Sequence, residues 1–282
     1  MSRLPYPQLA RDANQALMLD GYPLSQIADA FGTPTYAYSS AAITQAYHAL
    51  AAAFGDRKHQ ICYAVKANSN LAILALLARL GAGFDIVSGG ELARVLKAGG
   101  EPAKVVFSGV GKRADEIRYA LRVGVGCLNV ESAAELARIS AIAKDMNLVA
   151  PISLRVNPDV DAKTHPYIST GLKDNKFGIP IEQAPDLYRK AARDPHLSVV
   201  GIDCHIGSQL TDVSPFAAAA ERVLSLLDLL VLEGIELHHL DLGGGLGIAY
   251  TDEHSPTAAD WVSTVVGVID RHPIARRLPI ML

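Results

Sequence analysis

One rhythm constrains this chain more than any other feature. Past residue 55, apolar β-rich runs alternate with amphipathic helical stretches. The runs are "ICYAVKA", "FDIVS", "KVVFSG", "CLNVE", "ISLRVNP", "VVGIDCHIG", "HHLDLGGG" and "LPIML". Strand and helix in regular alternation is the pattern of parallel βα units. An open doubly wound sheet and a closed barrel both use such units. Eight of them in succession favour the barrel, for which a chain of roughly 250 residues is typical. The expectation is an α/β fold: a TIM-type (β/α)8 barrel over residues 41–282. Residues 1–40 lie outside the rhythm and read as a lead-in segment, with "GTPTYAYS" extended. The chain ends on its eighth strand, where a barrel calls for one more helix, so it is expected to be truncated there.

The helices between the runs carry their own punctuation. "NLAILALLARLG" stops at Gly81, and "GELARVLKAGG" stops at a glycine pair suited to a C-cap. Ser132 with Glu135 three residues on is a capping-box pattern. "SPFAAAAERVLSLLDLLVLEG" opens Ser-Pro and ends at Gly234.

Composition narrows the class. Of 282 residues, 50% are hydrophobic and 20% charged, so a sizeable core forms and wholesale disorder is excluded. The net charge of −3, with no basic stripe, argues against nucleic acid as a partner. No apolar run is long enough for a membrane span, and "LSLLDLLVL" is interrupted by Asp228. The N-terminus has no apolar signal core. Cys62, Cys127 and Cys204 stand singly, with no Cys-x-x-Cys or His-Glu-x-x-His, so neither disulfides nor zinc are expected. Reduced thiols of a cytoplasmic enzyme are the simplest reading.

Three places on the strand ends carry chemistry. In "ICYAVKAN", Cys62, Ala64 and Lys66 share one strand face, and small residues suit a barrel interior. Lys66 then points inward at the C-terminal end of strand one, where barrels place their sites. A desolvated lysine is a Schiff-base nucleophile; a solvated amine at the barrel mouth is the bland alternative. Gly243, Gly244 and Gly245 directly follow the seventh run, where barrels commonly bind phosphate. In "GIDCHIGSQL", His205 shares a face with Asp203, and Ser208 offers a hydroxyl to the same anion. Asp85, at the mouth of strand two, is placed to orient the histidine. Amine, phosphate cradle and imidazole on one rim suggest pyridoxal phosphate. A rival is "GVGKRA" at 109–114, which matches Gly-x-Gly-x-x-Ala, with Glu131 about 20 residues on as a dinucleotide fingerprint wants.

Taken together, "YAVKAN", "VSGGEL", "RVNPDVDAKTHPYISTGLKDNKFGI", "CHIGSQ" and "DLGGGLGI" resemble the diaminopimelate decarboxylases, members of the alanine-racemase-like, fold-type III pyridoxal phosphate enzymes. The resemblance implies a cofactor-binding barrel of the alanine racemase type, with residues 1–40 belonging to a second, β-rich domain. It makes Lys66 the lysine that carries the cofactor, stacks His205 on the ring, and gives the phosphate to Ser208 and the glycine run. "TGLKDNKFG" is similar to a mobile loop beside the site. Family members continue with an acid for the pyridine nitrogen and a C-terminal β domain carrying the proton donor and the residues that read the substrate. Neither is in this chain. The implied reaction is decarboxylation of meso-2,6-diaminopimelate to L-lysine by a full-length homodimer acting on a small amino-acid substrate. Other basic amino-acid decarboxylases (on ornithine, arginine or carboxynorspermidine) and a non-catalytic cofactor-binding barrel are the alternatives.

Overall fold

A computed structural model describes residues 7–160, 177–250 and 254–282. The chain divides into two compact units, Met1–Ala49 and Leu50–Leu282. The first holds a small antiparallel sheet, β1 (Leu9–Arg11), β2 (Leu17–Leu19) and β3 (Tyr22–Pro23), followed by helix α1 (Leu24–Phe31). The expected extended stretch "GTPTYAYS" contains no regular element before α2 begins (Ser40–Ala53).

The second unit is the barrel. Its strands are β4 (His59–Gln60), β5 (Cys62–Ala64), β6 (Gly83–Ile86), β7 (Val105–Phe107), β8 (Cys127–Val130) and β9 (Ala150–Asn157). After β10 (Ile179–Pro180), which pairs beside β9, come β11 (Leu197–Cys204), β12 (His239–Asp241) and β13 (Ile280–Met281). The ladder runs β4-β13-β12-β11-β9-β8-β7-β6-β5, every pair parallel. Only Ile61 separates β4 from β5, so the two ends of the ladder meet in one run of chain. The Cys62 N–H donates to the Leu282 carbonyl at 2.7 Å and the Leu282 N–H to the Gln60 carbonyl at 3.2 Å, joining the last run to the first. Each of the eight runs read from the sequence supplies one strand position.

Helices α3 (Leu71–Arg79), α4 (Gly89–Lys97), α5 (Ala114–Val123), α6 (Ala133–Asp145), α7 (Ala184–Ala192), α8 (Ser214–Leu232) and α9 (Ala258–Ile269) connect the strands. Their apolar stripes supply the outer core: Leu92 and Val95 from α4, Ile117 and Leu121 from α5, and Leu136 and Ile139 from α6 are all buried. The Ser132 hydroxyl caps α6 by accepting from the Glu135 N–H at 3.1 Å. The reciprocal half of the expected capping box is absent. Glu135 turns instead to the N–H of Glu131 at 2.8 Å and to Lys112 Nζ at 2.7 Å, because a buried ammonium competes for its carboxylate.

The first barrel strand is shorter than its sequence suggests. It stops at Ala64, and Val65–Ala67 form a 3-10 turn. The turn buries Val65 completely while leaving Lys66 exposed.

Candidate active site at the strand ends

The C-terminal ends of the strands surround a cavity of about 410 Å³, within the range of small-ligand sites. Lys66, Asp85, His205, Ser208, Gly243, Gly244 and Gly245, the seven residues singled out from the sequence, all line it. Cys62 and Ala64 line it too, so the inward parity of the first strand holds up to its end.

Two turns build one wall. Gly243 (φ 63°) and Gly245 (φ 115°) occupy backbone regions that side chains rarely adopt. A Cβ on Gly243 would lie 2.7 Å from the Cys204 carbonyl, and one on Gly245 would collide with the Gly207 carbonyl. The turn after β12 is therefore pressed against the turn after β11. The Leu210 N–H donates to the Gly245 carbonyl at 2.9 Å and the Gly247 N–H to the Leu210 carbonyl at 2.8 Å. Gly244 differs: a Cβ there meets nothing within 4 Å, so its backbone faces open cavity. Asp241 Oδ1 accepts the Gly243 N–H at 3.0 Å and steadies the bend.

The floor is acidic. Asp85 stands on β6 opposite Ala64, and Asp203 on β11 stands opposite both Arg155 and Asp241. Burial pushes the Asp85 carboxyl up to about 6, against a lowering bond from Ser108 and lowering charges from Lys66 and Arg155. Asp203 and Asp241 are also pushed up, by burial first; for Asp203 the neighbouring Asp241 charge adds to it. Asp85 Oδ1 is buried without a hydrogen-bond partner. His205 is driven the other way, to about 3, by burial and then by the Arg155 and Lys66 charges, so its imidazole is neutral at neutral pH.

Arg155, on β9, went unremarked in the sequence. It lines the cavity, pairs with Glu131 at 3.2 Å and lies 5.4 Å from the Phe177 ring centroid. Its signal was available: in "ISLRVNP" an arginine is the one charged residue of a buried strand. Glu131 does not serve a dinucleotide. It accepts the Gly109 N–H at 2.9 Å, and the closed parallel ladder leaves no crevice of the doubly wound kind, so the rival reading of "GVGKRA" falls. Most of "TGLKDNKFG" lies outside the described residues; Phe177 and Gly178 are its described end. The three cysteines are free thiols, and among the described residues no helix is long and apolar enough to cross a membrane.

The family described as "Pyridoxal-dependent decarboxylase, pyridoxal binding domain" matches residues 40–279. Diaminopimelate decarboxylase of Pseudomonas aeruginosa is 60% identical over 255 residues, 90% of this chain and 61% of the relative. That of Vibrio cholerae is 55% identical over 91% of this chain and 61% of the relative. The crystal structure of diaminopimelate decarboxylase from Helicobacter pylori complexed with L-lysine superposes with a TM-score of 0.88 at 43% identity, over 92% of this chain and 64% of that one. This chain thus spans somewhat over three-fifths of these relatives' length. With the match extending from the start of the second helix to the residue before the last barrel strand, the chain belongs to the pyridoxal-dependent decarboxylase family and carries its pyridoxal binding domain.

Proposed function

We propose that the full-length protein decarboxylates meso-2,6-diaminopimelate to L-lysine, and that this domain holds the pyridoxal phosphate on which the reaction runs. The curated relatives of 55–60% identity carry that activity in their names, which favours it over ornithine or arginine as substrate. The observation that carries the reading is convergence. A primary amine, a glycine turn open at Gly244, a serine hydroxyl and a neutral imidazole meet on one cavity rim. The donor set fits the cofactor: an aldehyde needs the amine, and a phosphate needs N–H and O–H donors. The orphaned Asp85 Oδ1 fits as well, since a buried acceptor calls for a donor from a ligand.

Each residue then has a task. Lys66 holds the cofactor covalently through Nζ. The turn Gly243–Gly245 offers the backbone N–H of Gly244 to the phosphate, and Ser208 adds its hydroxyl. His205, uncharged, packs on the ring face. When bound, the cofactor supplies an electron sink for the carbon that loses its carboxylate. The chain's contribution is to orient the scissile bond within the cavity. An acid for the pyridine nitrogen, the proton donor and the homodimer interface are assigned to the part of the protein beyond this domain, and the cytoplasm is its proposed location.

Borohydride reduction of the cofactor-loaded protein followed by peptide mapping tests the core of this. The pyridoxyl mass is expected on Lys66. Its appearance on Lys104, Lys112 or Lys176 instead would sink the assignment. Carbon dioxide release from meso-diaminopimelate, compared with ornithine and arginine, checks the substrate in the full-length protein.

A further inference from the structure

Glu131 is the residue that the "GVGKRA" motif brought to notice and that the reaction leaves without a task. Its side chain is only 1% exposed. Both carboxylate oxygens are engaged, and every partner belongs to or borders the cavity wall. Oε1 accepts from the Gly109 N–H at 2.9 Å and from Arg155 Nη1 at 3.2 Å, and Oε2 accepts from the Gly178 N–H at 3.2 Å. Gly109 and Arg155 line the cavity; Gly178 follows Phe177, which lines it and stacks on Arg155.

Glu131 is also held from behind. Its own N–H donates to Glu135 Oε2 at 2.8 Å, and Glu135 Oε1 binds Lys112 Nζ at 2.7 Å. That ammonium places its other donors on the Gly109 carbonyl at 2.6 Å and the Asn129 carbonyl at 2.7 Å. The network is fully hydrogen-bonded on its inner side and meets the cavity at Gly109 and Arg155, of which Arg155 is the charged group.

The guanidinium has competing partners. Asp203 is its register neighbour on β11, and the Arg155 charge is felt by Asp85 and Asp241 as well. A long cation sharing a cavity with three carboxylates will turn toward them unless another partner fixes it. Among the described residues lining the cavity, Lys66 and Arg155 are the cations. With Lys66 committed to the cofactor, Arg155 is the charge left to receive an anionic ligand.

We propose that Glu131 is a positioning residue: it fixes the Arg155 guanidinium in the cavity wall, and through Arg155 it strengthens the binding of the anionic cofactor. The inference rests on the cofactor reading above. The test is a double-mutant cycle in the full-length protein, read as the pyridoxal phosphate dissociation constant from absorbance titration of the cofactor-free form. Glu131→Gln should weaken binding by about tenfold, the usual scale for losing one charge-assisted contact. Arg155→Gln should weaken it at least as much, and the double variant should match Arg155→Gln alone. Glu131→Asp, which keeps the charge, should recover most of the affinity. Where Glu131→Gln does not fold, Glu131→Ala takes its place in the cycle. Multiplying single effects, or a lowered melting temperature with unchanged affinity, would overturn the inference and leave Glu131 a loop staple. A wild-type protein that takes up no cofactor would overturn the cofactor reading, and this inference with it.

Discussion

Two buried charged clusters sit a few residues apart in this barrel, and they are built on opposite terms. Around Lys112, one ammonium meets one carboxylate and two carbonyls, with Nζ distances of 2.6 to 2.7 Å. Its side chain is fully buried and every donor is used. Around the cavity, Asp85, Asp203 and Asp241 share two cations, their carboxyls are pushed up, and one oxygen of Asp85 has no partner. The first cluster is complete without a ligand and holds α6 and the turn at Gly109 in place. The second is incomplete without one. Satisfaction, more than burial, separates a structural charge from a site.

The largest effect should come from breaking the complete cluster. Lys112→Met strands Glu135 in the interior, and removing one partner of a buried pair costs about 3–5 kcal/mol. Urea denaturation should show that loss, and a Lys112→Met, Glu135→Leu double variant should regain much of it. A double variant no better than the single would mean that the ammonium's carbonyl contacts carry the stability.

The glycine cradle sharpens the comparison, because one turn contains both kinds of residue. A Cβ at position 244 meets no protein atom within 4 Å, so Gly244→Val should leave the melting temperature nearly unchanged. It should still weaken pyridoxal phosphate binding by tens-fold, since one or two charge-assisted bonds are worth about 1.5–3 kcal/mol each. Gly245→Val, driven into the Gly207 carbonyl, should instead lower stability. Equal affinities for wild type and a folded Gly244→Val would remove the phosphate from this turn.

The unsatisfied carboxylates should register in pH. Asp85 holds its proton up to about 6 in the fold, against an ordinary value of 3.8. The native state therefore binds more protons than the unfolded chain across that window. Stability should fall as pH rises from about 4 to about 6 and level off above it. Asp85→Asn removes the group and should flatten that part of the curve. Denaturation midpoints measured across the window decide it, and an unaltered slope would place the titration on Asp203 or Asp241.

The smallest effect is reserved for His205→Phe. An imidazole already neutral loses no charge, and an aromatic face is kept. Most of the cofactor affinity should remain, with part of the rate lost in the full-length enzyme. If carbon dioxide release persisted while protonation of the product carbon failed, His205 would have to be reassigned as a proton donor.

The strand–helix rhythm, the eight runs and seven of the residues that line the cavity were legible in the sequence, for a physical reason. Parallel strands buried on both faces must be apolar, and turns at their ends need glycines and polar side chains, so both leave local marks. What those marks could not carry were relations across the barrel. That β4 and β5 close the ladder depends on Leu282 meeting Gln60 and Cys62, more than 200 residues away. The first strand ends at Ala64 and turns through Val65–Ala67, although the apolar run itself continues to Ala67. Glu135 left its capping box because Lys112 arrived from 23 positions earlier. Arg155 reads as one more residue of a strand until Glu131, Gly109 and Gly178 converge beside it. Local spacing encodes secondary structure and chemistry at strand ends, whereas the partners of a buried charge are chosen only when distant segments are packed together.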